Sequence, residues 1–500
     1  MLVPRALAVA AWASLAAGAA LAQDSAGRGL TIEPSVSVRQ TFTDNRTLST
    51  NKASEAITEL GAGLRVASNR GALRGSLEYG LTGSIYAKNS DANELRHFLG
   101  AAATAELVDG AAYVDLRASY TQQTISAFGT QTADRALANA NRTDVAYLSV
   151  APTLNGNLGA FARYQLRGSA QTTRAKNAVA SDADSASLSA RLDSAGASRL
   201  GWFAVVSHHV SDFKAGRRTF NERLQLGATT LIGTDLRLGV TAGRERTDLR
   251  VLDGASNDTW GLQADWSPSP RTALAANFEH RFFGDAHSVR FTHRTPNTSW
   301  AVSTSRDLSD TSTQGVGAFG SAYDLFFRQF AALEPDEAKR DTLVRAYLGA
   351  NNIDPRAVVV GGFLASTVTL KRAQSASVAL IGARNTVTLR LSASRDERAD
   401  QFATVIDDLS SVSEVRQRGL TVDWAYRLTP QSSVSLGLGY QRSTSDTNAL
   451  QSTLKSLSVL WTAPLGARST VSAGLRRAEF DSPTSPYDEN AIFAALRMSF

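Results

Sequence analysis

A single large antiparallel transmembrane β-barrel of about 22 strands, all-β with a helical insertion in one long extracellular loop, is the fold this sequence predicts. Three observations carry the prediction. Apolar and polar residues alternate along most of the chain, turn signals recur at regular spacing, and the final residue is an aromatic closing an alternating segment. Composition permits this reading and closes others. The 500 residues are 43% hydrophobic and 20% charged, with 37 glycines and no cysteine. Without cysteine there is no disulfide scaffold, no Cys-ligated metal and no thiol nucleophile. The balance of residue types excludes a disordered or collagen-like chain. The formal charge is +6, carried almost wholly by arginine. The sign alone does not choose between nucleic acid, an anionic polymer and an anionic surface.

The first element is a targeting segment. Arg5 supplies a short positive region, Ala6 to Leu21 is nearly unbroken apolar sequence, and Ala20-Leu21-Ala22 forms a small-residue cleavage box. The expected organisation is a signal peptide over 1–22 and a barrel over 23–500. No later window offers the roughly 18 consecutive apolar residues of a spanning helix. Export removes nucleic acid from the expected partners, and the expected location is the outer membrane of a Gram-negative bacterium.

The strands follow. Leu73, Gly75, Leu77, Tyr79, Leu81, Gly83 and Ile85 alternate with Arg74, Ser76, Glu78, Gly80, Thr82 and Ser84. A period of two gives one apolar and one polar face. The same alternation sets Leu236, Leu238 and Val240, then Val387, Leu389, Leu391 and Ala393, then Val434, Leu436, Leu438 and Tyr440 on apolar faces. Short turns are expected at Asn69-Arg70-Gly71, Asp109-Gly110, Asn155-Gly156-Asn157, Gly196-Ala197-Ser198, Gly233-Thr234 and Ser267-Pro268-Ser269-Pro270. Four more fall at Thr295-Pro296-Asn297, Ala383-Arg384-Asn385, Thr429-Pro430-Gln431 and Ala463-Pro464-Leu465-Gly466. Such residues accept or fix turn dihedrals. Between them lie longer polar segments such as 43–56, 126–142 and 396–414. A soluble sandwich or propeller would also alternate. Strand length, the short-and-long asymmetry of the connections and aromatics beside the short turns (Trp202, Trp266, Trp300, Tyr426 and Trp461) favour a barrel with its apolar face to lipid.

The spacing breaks once, between Thr295 and Ala383. Inside that interval Tyr323, Phe326, Phe327 and Phe330 recur at helical spacing, and Glu334-Pro335-Asp336-Glu337 starts a second helix. An insertion over about 312–360 is expected to cap the mouth, fold into the lumen as a gate or plug, or rest on the surface without gating.

The face opposite the apolar one carries Arg65, Arg74, Arg163, Arg167, Arg223, Arg237, Arg390, Arg427, Arg476 and Arg497, against Glu59, Glu78, Asp265, Glu279 and Asp423. This positive excess either favours anions in a lumen or braces the wall by pairing with acids. No nucleophile elbow, zinc-protease motif or phosphate loop is present. His208 and His209 point to opposite faces of one strand. His280, His287 and His293 fall around one expected loop, within reach of one another, and read better as rim polarity than as a metal site. No catalytic residue, metal or cofactor is expected.

Leu496, Met498 and Phe500 resemble the assembly signal of outer-membrane barrels, which implies the barrel-assembly machinery as a biogenesis partner. The chain as a whole resembles the β-barrel porin family encoded with exopolysaccharide biosynthesis and PEP-CTERM sorting systems. The resemblance is carried by Ile32-Glu33-Pro34-Ser35-Val36-Ser37-Val38, Phe42-Thr43-Asp44-Asn45, Ala322-Tyr323-Asp324-Leu325-Phe326, Gly362-Phe363-Leu364 and Gly382-Ala383-Arg384-Asn385-Thr386. It implies an outer-membrane barrel in contact with lipid, polysaccharide and periplasmic export proteins. Three functions stay open: a non-catalytic conduit for exopolysaccharide, a general or solute-specific diffusion porin, and an outer-membrane enzyme acting on lipid or polymer. A receptor with a plug domain ahead of the barrel is disfavoured, since the first strand starts near Leu30.

Overall fold

The computed structural model describes residues 29–500 except 69–70, 135, 179–180, 197–198, 404–406, 430, 448, 467 and most of 311–361. The signal-peptide segment lies outside the described residues.

Twenty-two strands, numbered β1 to β22 in chain order, form one sheet in which each pairs antiparallel with the next. The sheet closes where β1 (Leu30–Thr43) meets β22 (Tyr487–Ser499), in a register that sets Val36 opposite Met498 and Val38 opposite Leu496. Closure removes the open edges, so the backbone of the wall is paired across its membrane-facing span, which hydrocarbon requires. Strands run 10–17 residues, long enough to cross a bilayer at a tilt.

The two faces follow the alternation. Val38, Phe42, Leu60, Leu64, Leu226, Leu262, Leu391 and Leu496 point outward and stay exposed. An apolar surface of this extent suits lipid rather than water. Trp202, Trp266, Trp300 and Trp461 stand outward near the short-turn end, where Phe161 joins Trp202 at 5.3 Å and Trp424 lies 6.1 Å from Tyr426. The rings form the girdle expected at a headgroup boundary. Leu496 and Met498 share the outer face of β22, and the Phe500 amide donates to the Pro34 carbonyl.

The start of β1, the end of β22 and the ten short turns lie at one end of the barrel. Gly71, Gly110, Gly159 and Gly233 adopt positive φ there, as tight turns between twisted strands need. Register shifts fall at the same end, at Glu106/Val108, Trp266/Ser269 and Arg427/Thr429, where bulges adjust the rim.

Three sequence expectations change. Asn155-Gly156-Asn157 is not a turn: β6 (Arg142–Leu158) runs through it, and the turn sits at Gly159. A Cβ on Gly156 would meet the Tyr164 ring at 2.5 Å, so glycine there makes room for an aromatic. The Ser267–Pro270 turn begins later, because β12 (Ala255–Ser269) continues to Ser269. Nor are all connections at the other end long, since Phe282 and Phe283 alone join β13 (Thr272–Arg281) to β14 (Gly284–Arg294).

Candidate functional site

The inner wall is where chemistry can meet a passing molecule. Register places Arg65, Arg74, Glu78, Arg163, Arg167, Arg223, Arg237, Arg390, Arg427, Arg476 and Arg497 on that face. It adds residues the sequence reading omitted. Arg39, Arg96, Arg117, Arg191, Arg281 and Arg290 join the cations, and Glu33, Glu55, Glu106, Asp115, Asp193, Glu245, Asp307, Asp396 and Glu489 join the acids. The positive excess read from sequence is therefore largely balanced over the whole wall. What differs is where the balance holds.

Towards the long-loop end the charges are paired and buried. Arg476 is 7% exposed and bridges Asp134 and Glu489, with the Glu489 contact at 2.7 Å. Arg39 reaches Asp134 at 3.0 Å and Glu59 at 3.6 Å, and Arg96 also binds Glu59. A second network joins Arg281 to Glu245 and Asp307, and Arg223 to Glu279.

Asp134 belongs to the loop between β5 (Ala112–Thr124) and β6, so these pairs hold a loop inside the barrel. Tyr86 and Tyr487 hydroxyls donate to the Ala136 and Gln131 carbonyls of the same loop at 2.5 and 2.6 Å. Leu137 packs with Leu48, Ile57, Tyr86, Phe480 and Tyr487. Burial pushes the Asp134 carboxyl up, but the Arg39 and Arg476 guanidinium groups outweigh it and hold that carboxyl well below its usual range.

A second cover crosses the same mouth. Residues 362–368 precede β16 (Thr369–Ile381); Leu364 packs on Val145 and Ala175, and Val368 on Ala183, Phe213 and Leu249. The dipeptide Asp407-Asp408, before β18 (Glu414–Thr429), clamps both covers. Asp407 accepts from the Ser366 amide and hydroxyl at 2.5 and 2.9 Å. Asp408 accepts from the Ser126 hydroxyl and the Ala127 amide, both at 2.7 Å. Ala127, Phe128, Phe363, Ala365, Leu409 and Val415 form the apolar seam between them. Burial raises the pKa of both carboxyls, only partly offset by these donors.

The short-turn end is different. Arg74, Arg163, Arg237, Arg427 and Arg497 are exposed on the inner face. Arg74 reaches Glu106 at 3.2 Å. Arg163, Arg237, Arg427 and Arg497 have no acid within 4.0 Å among the described residues. Arg163 and Arg191 also line, with Asn155, Asn157, Gln165 and Asp193, a pocket of about 350 Å³.

Most of the expected helical insertion over 312–360, Phe330 included, lies outside the described residues. Tyr323, Phe326 and Phe327 are described with helical backbone, and Phe326 is buried. The Tyr323 hydroxyl donates to Asp341, whose other oxygen takes Arg65 at 2.6 Å. Arg65 lies near the short-turn end of β2 (Glu55–Ser68), so Asp341 sits deep in the lumen.

The histidines do not converge. His280 and His287 stand on the outer face near the long-loop end, while His293 is outward at the opposite end, stacked on Phe291. Six residues of β14 separate His293 from His287, about 20 Å along the strand. His208 faces outward to Glu222 and His209 inward to Asp310. No group of three metal-ligating side chains occurs among the described residues.

Sequence reasoning missed Asp134, Asp407 and Asp408. They sit in polar loops whose partners lie 41 to 342 residues away, and nothing local marks them.

The sequence matches no family model and no curated protein. Among solved structures, the chain is similar to the FrpB iron transporter from Neisseria meningitidis, at 10% identity and TM-score 0.48, covering 96% of this chain and 84% of that one. It is similar to the siderophore receptor PirA from Acinetobacter baumannii, at 9% identity and TM-score 0.46 over 94% and 80%. It is also similar to OccK2 (OpdF) from Pseudomonas aeruginosa, at 10% identity and TM-score 0.34 over 94% and 98%. Strand number, closure, the lipid-facing belt and the split between short turns and longer loops make this chain a barrel of outer-membrane, porin-like architecture.

Proposed function

We propose that this barrel is a non-catalytic outer-membrane conduit for export of an exopolysaccharide. The observation that carries the reading is the short-turn mouth, where exposed arginines without acidic partners face the lumen. A hydrated chain needs a polar wall rather than a tight site, and arginines left open at the entrance favour anionic groups on that chain. At the far mouth the covers held by Asp134 and by Asp407-Asp408 keep the lumen shut until polymer arriving through the lumen displaces them. A wide barrel needs such filling to avoid an open hole.

The test pairs deletion of the chain, with assay of secreted polymer, and single-channel conductance of the purified barrel. Export predicts loss of secreted polymer and a small resting conductance. Normal secretion with a large, constantly open conductance would overturn it. That result would favour a second reading, a diffusion pore for small anionic solutes, for which the pocket at Arg163 and Arg191 is the supporting feature.

A further inference from the structure

Cross-strand register places a row of arginines on the outer face. Arg306 stands opposite Arg372, Arg372 opposite Arg395, and Arg395 opposite Arg416, across β15 (Thr298–Ser309), β16, β17 (Asn385–Arg398) and β18. Just below, Arg418 stands opposite Arg442 of β19 (Ser432–Ser445). Like charges directly opposite one another destabilise a sheet, and here the clash repeats across successive strand pairs.

The acids present do not cancel it. Glu397 takes Arg395 at 2.6 Å, and Glu414 is shared by Arg395 and Arg416. Arg306 donates to the backbone carbonyls of Asp285 and Phe283 and has no acid within 4.0 Å among the described residues. Arg372 and Arg418 are exposed, with no acid within 4.0 Å among the described residues. Among the described residues, two acids, Glu397 and Glu414, lie within 4.0 Å of these six cations, and Asp446 adds a more distant negative charge beside Arg416.

Position says what anion would meet them. The row lies near the long-loop ends of its strands. Further along the same outer face come Val302, Ala376, Leu391 and Leu420, then Trp300, Val378, Leu389 and Val422. The arginines thus stand one layer, of Thr304, Gln374 and Ala393, above the apolar belt, at headgroup height in the outer leaflet. Guanidinium forks suit phosphate, and acyl chains would lie on the belt beneath. Four adjacent strands, about 4.8 Å apart, spread the row wider than one phosphate.

We infer that this face binds a glycolipid of the outer leaflet carrying more than one phosphate, of the lipid A class, with phosphates on Arg306, Arg372, Arg395, Arg416, Arg418 and Arg442 and acyl chains on the belt below. The site is independent of what the lumen carries.

The test is native mass spectrometry of the full-length barrel in detergent, titrated separately with bis-phosphorylated lipid A, dephosphorylated lipid A, phosphatidylglycerol and inorganic phosphate. The expected result is tight retention of the bis-phosphorylated lipid alone. R372Q with R418Q should weaken it about 30-fold, at roughly 1 kcal/mol for each charge near a membrane surface. Arg174→Gln, an outer-face cation on the distant β7 (Ala162–Ala175), should leave it unchanged, and Glu397→Gln should tighten it a few-fold by removing a competing acid. Heat-modifiable gel migration reports folding of each variant. Equal retention by the double variant, equal retention of dephosphorylated lipid or of phosphatidylglycerol, or saturation by free phosphate at the same concentration would each overturn the inference.

Discussion

The two ends of the lumen carry the same residue types in opposite circumstances. At the long-loop end arginine is buried, as in Arg476 between Asp134 and Glu489 or Arg281 between Glu245 and Asp307. At the short-turn end arginine is exposed and open, as in Arg163, Arg237, Arg427 and Arg497. Buried pairs fix a geometry, because separating them strands a charge away from water. Open cations fix nothing and remain available to a ligand. The same side chain is thus a fastener above and a contact surface below, and substitution should separate the two roles.

The largest effect is expected at Arg476. Its replacement by alanine leaves Asp134 and Glu489 buried without their shared cation, a loss of about 3–5 kcal/mol for a broken buried pair. Because Asp134 belongs to a loop, part of that loss falls on loop docking. Conductance of Arg476→Ala should therefore rise well above wild type, and its denaturant midpoint should fall. If both stay at wild-type values, the long-loop end is not fastened by charge, and the contrast with the short-turn end collapses.

A smaller effect concerns pH, and it distinguishes the two fastenings of the covers. The Asp407 and Asp408 pKa values are raised on docking, so their contribution is full below the ordinary carboxylate value. It is lost as pH rises through the docked values. Asp134 is depressed, so its contribution is present above that value and lost as pH falls. Amide hydrogen exchange at Ser366 and Ala127, corrected for intrinsic rate, should accelerate several-fold as pH rises from about 4 to 8. In Asp407→Asn with Asp408→Asn that slope should vanish, while an acid-side loosening of residues 131–137 remains. A flat profile in the wild type would show that the dyad does not titrate with docking.

The wall was legible in the sequence and the covers were not, for one physical reason. A strand facing lipid on one side and water on the other must alternate, so Leu73 to Ile85 declares its two faces without reference to any partner. The inward arginines are read by the same parity. Asn155-Gly156-Asn157 misleads because its glycine serves the Tyr164 ring rather than a turn, and a packing demand of this kind leaves the same letters as a turn. The balance of lumen charge is harder still. Glu489, Asp134 and Arg476 form one network from β22, a loop and β21 (Ser469–Asp481), and only the closed barrel brings them together.

The smallest effect on stability, and the sharpest on function, belongs to the open arginines. Replacing Arg237, Arg427 and Arg497 by glutamine breaks no ion pair among the described residues. Each should change stability by no more than about 0.5 kcal/mol, as for ordinary exposed positions. Their charge nonetheless sets the potential at the mouth. Coulomb attraction in a pore lined by one sign raises the local concentration of anions, and salt screens it beyond a Debye length of about 10 Å at 0.1 M. The triple variant should therefore lose anion preference in a potassium chloride gradient, read as a reversal potential moving towards zero, with the shift largest at low salt. Arg476→Ala, measured alongside, should change how much current passes more than which ion carries it. If the triple variant instead unfolds, or keeps its reversal potential, those arginines are structural after all and the short-turn mouth is not where an anion is chosen.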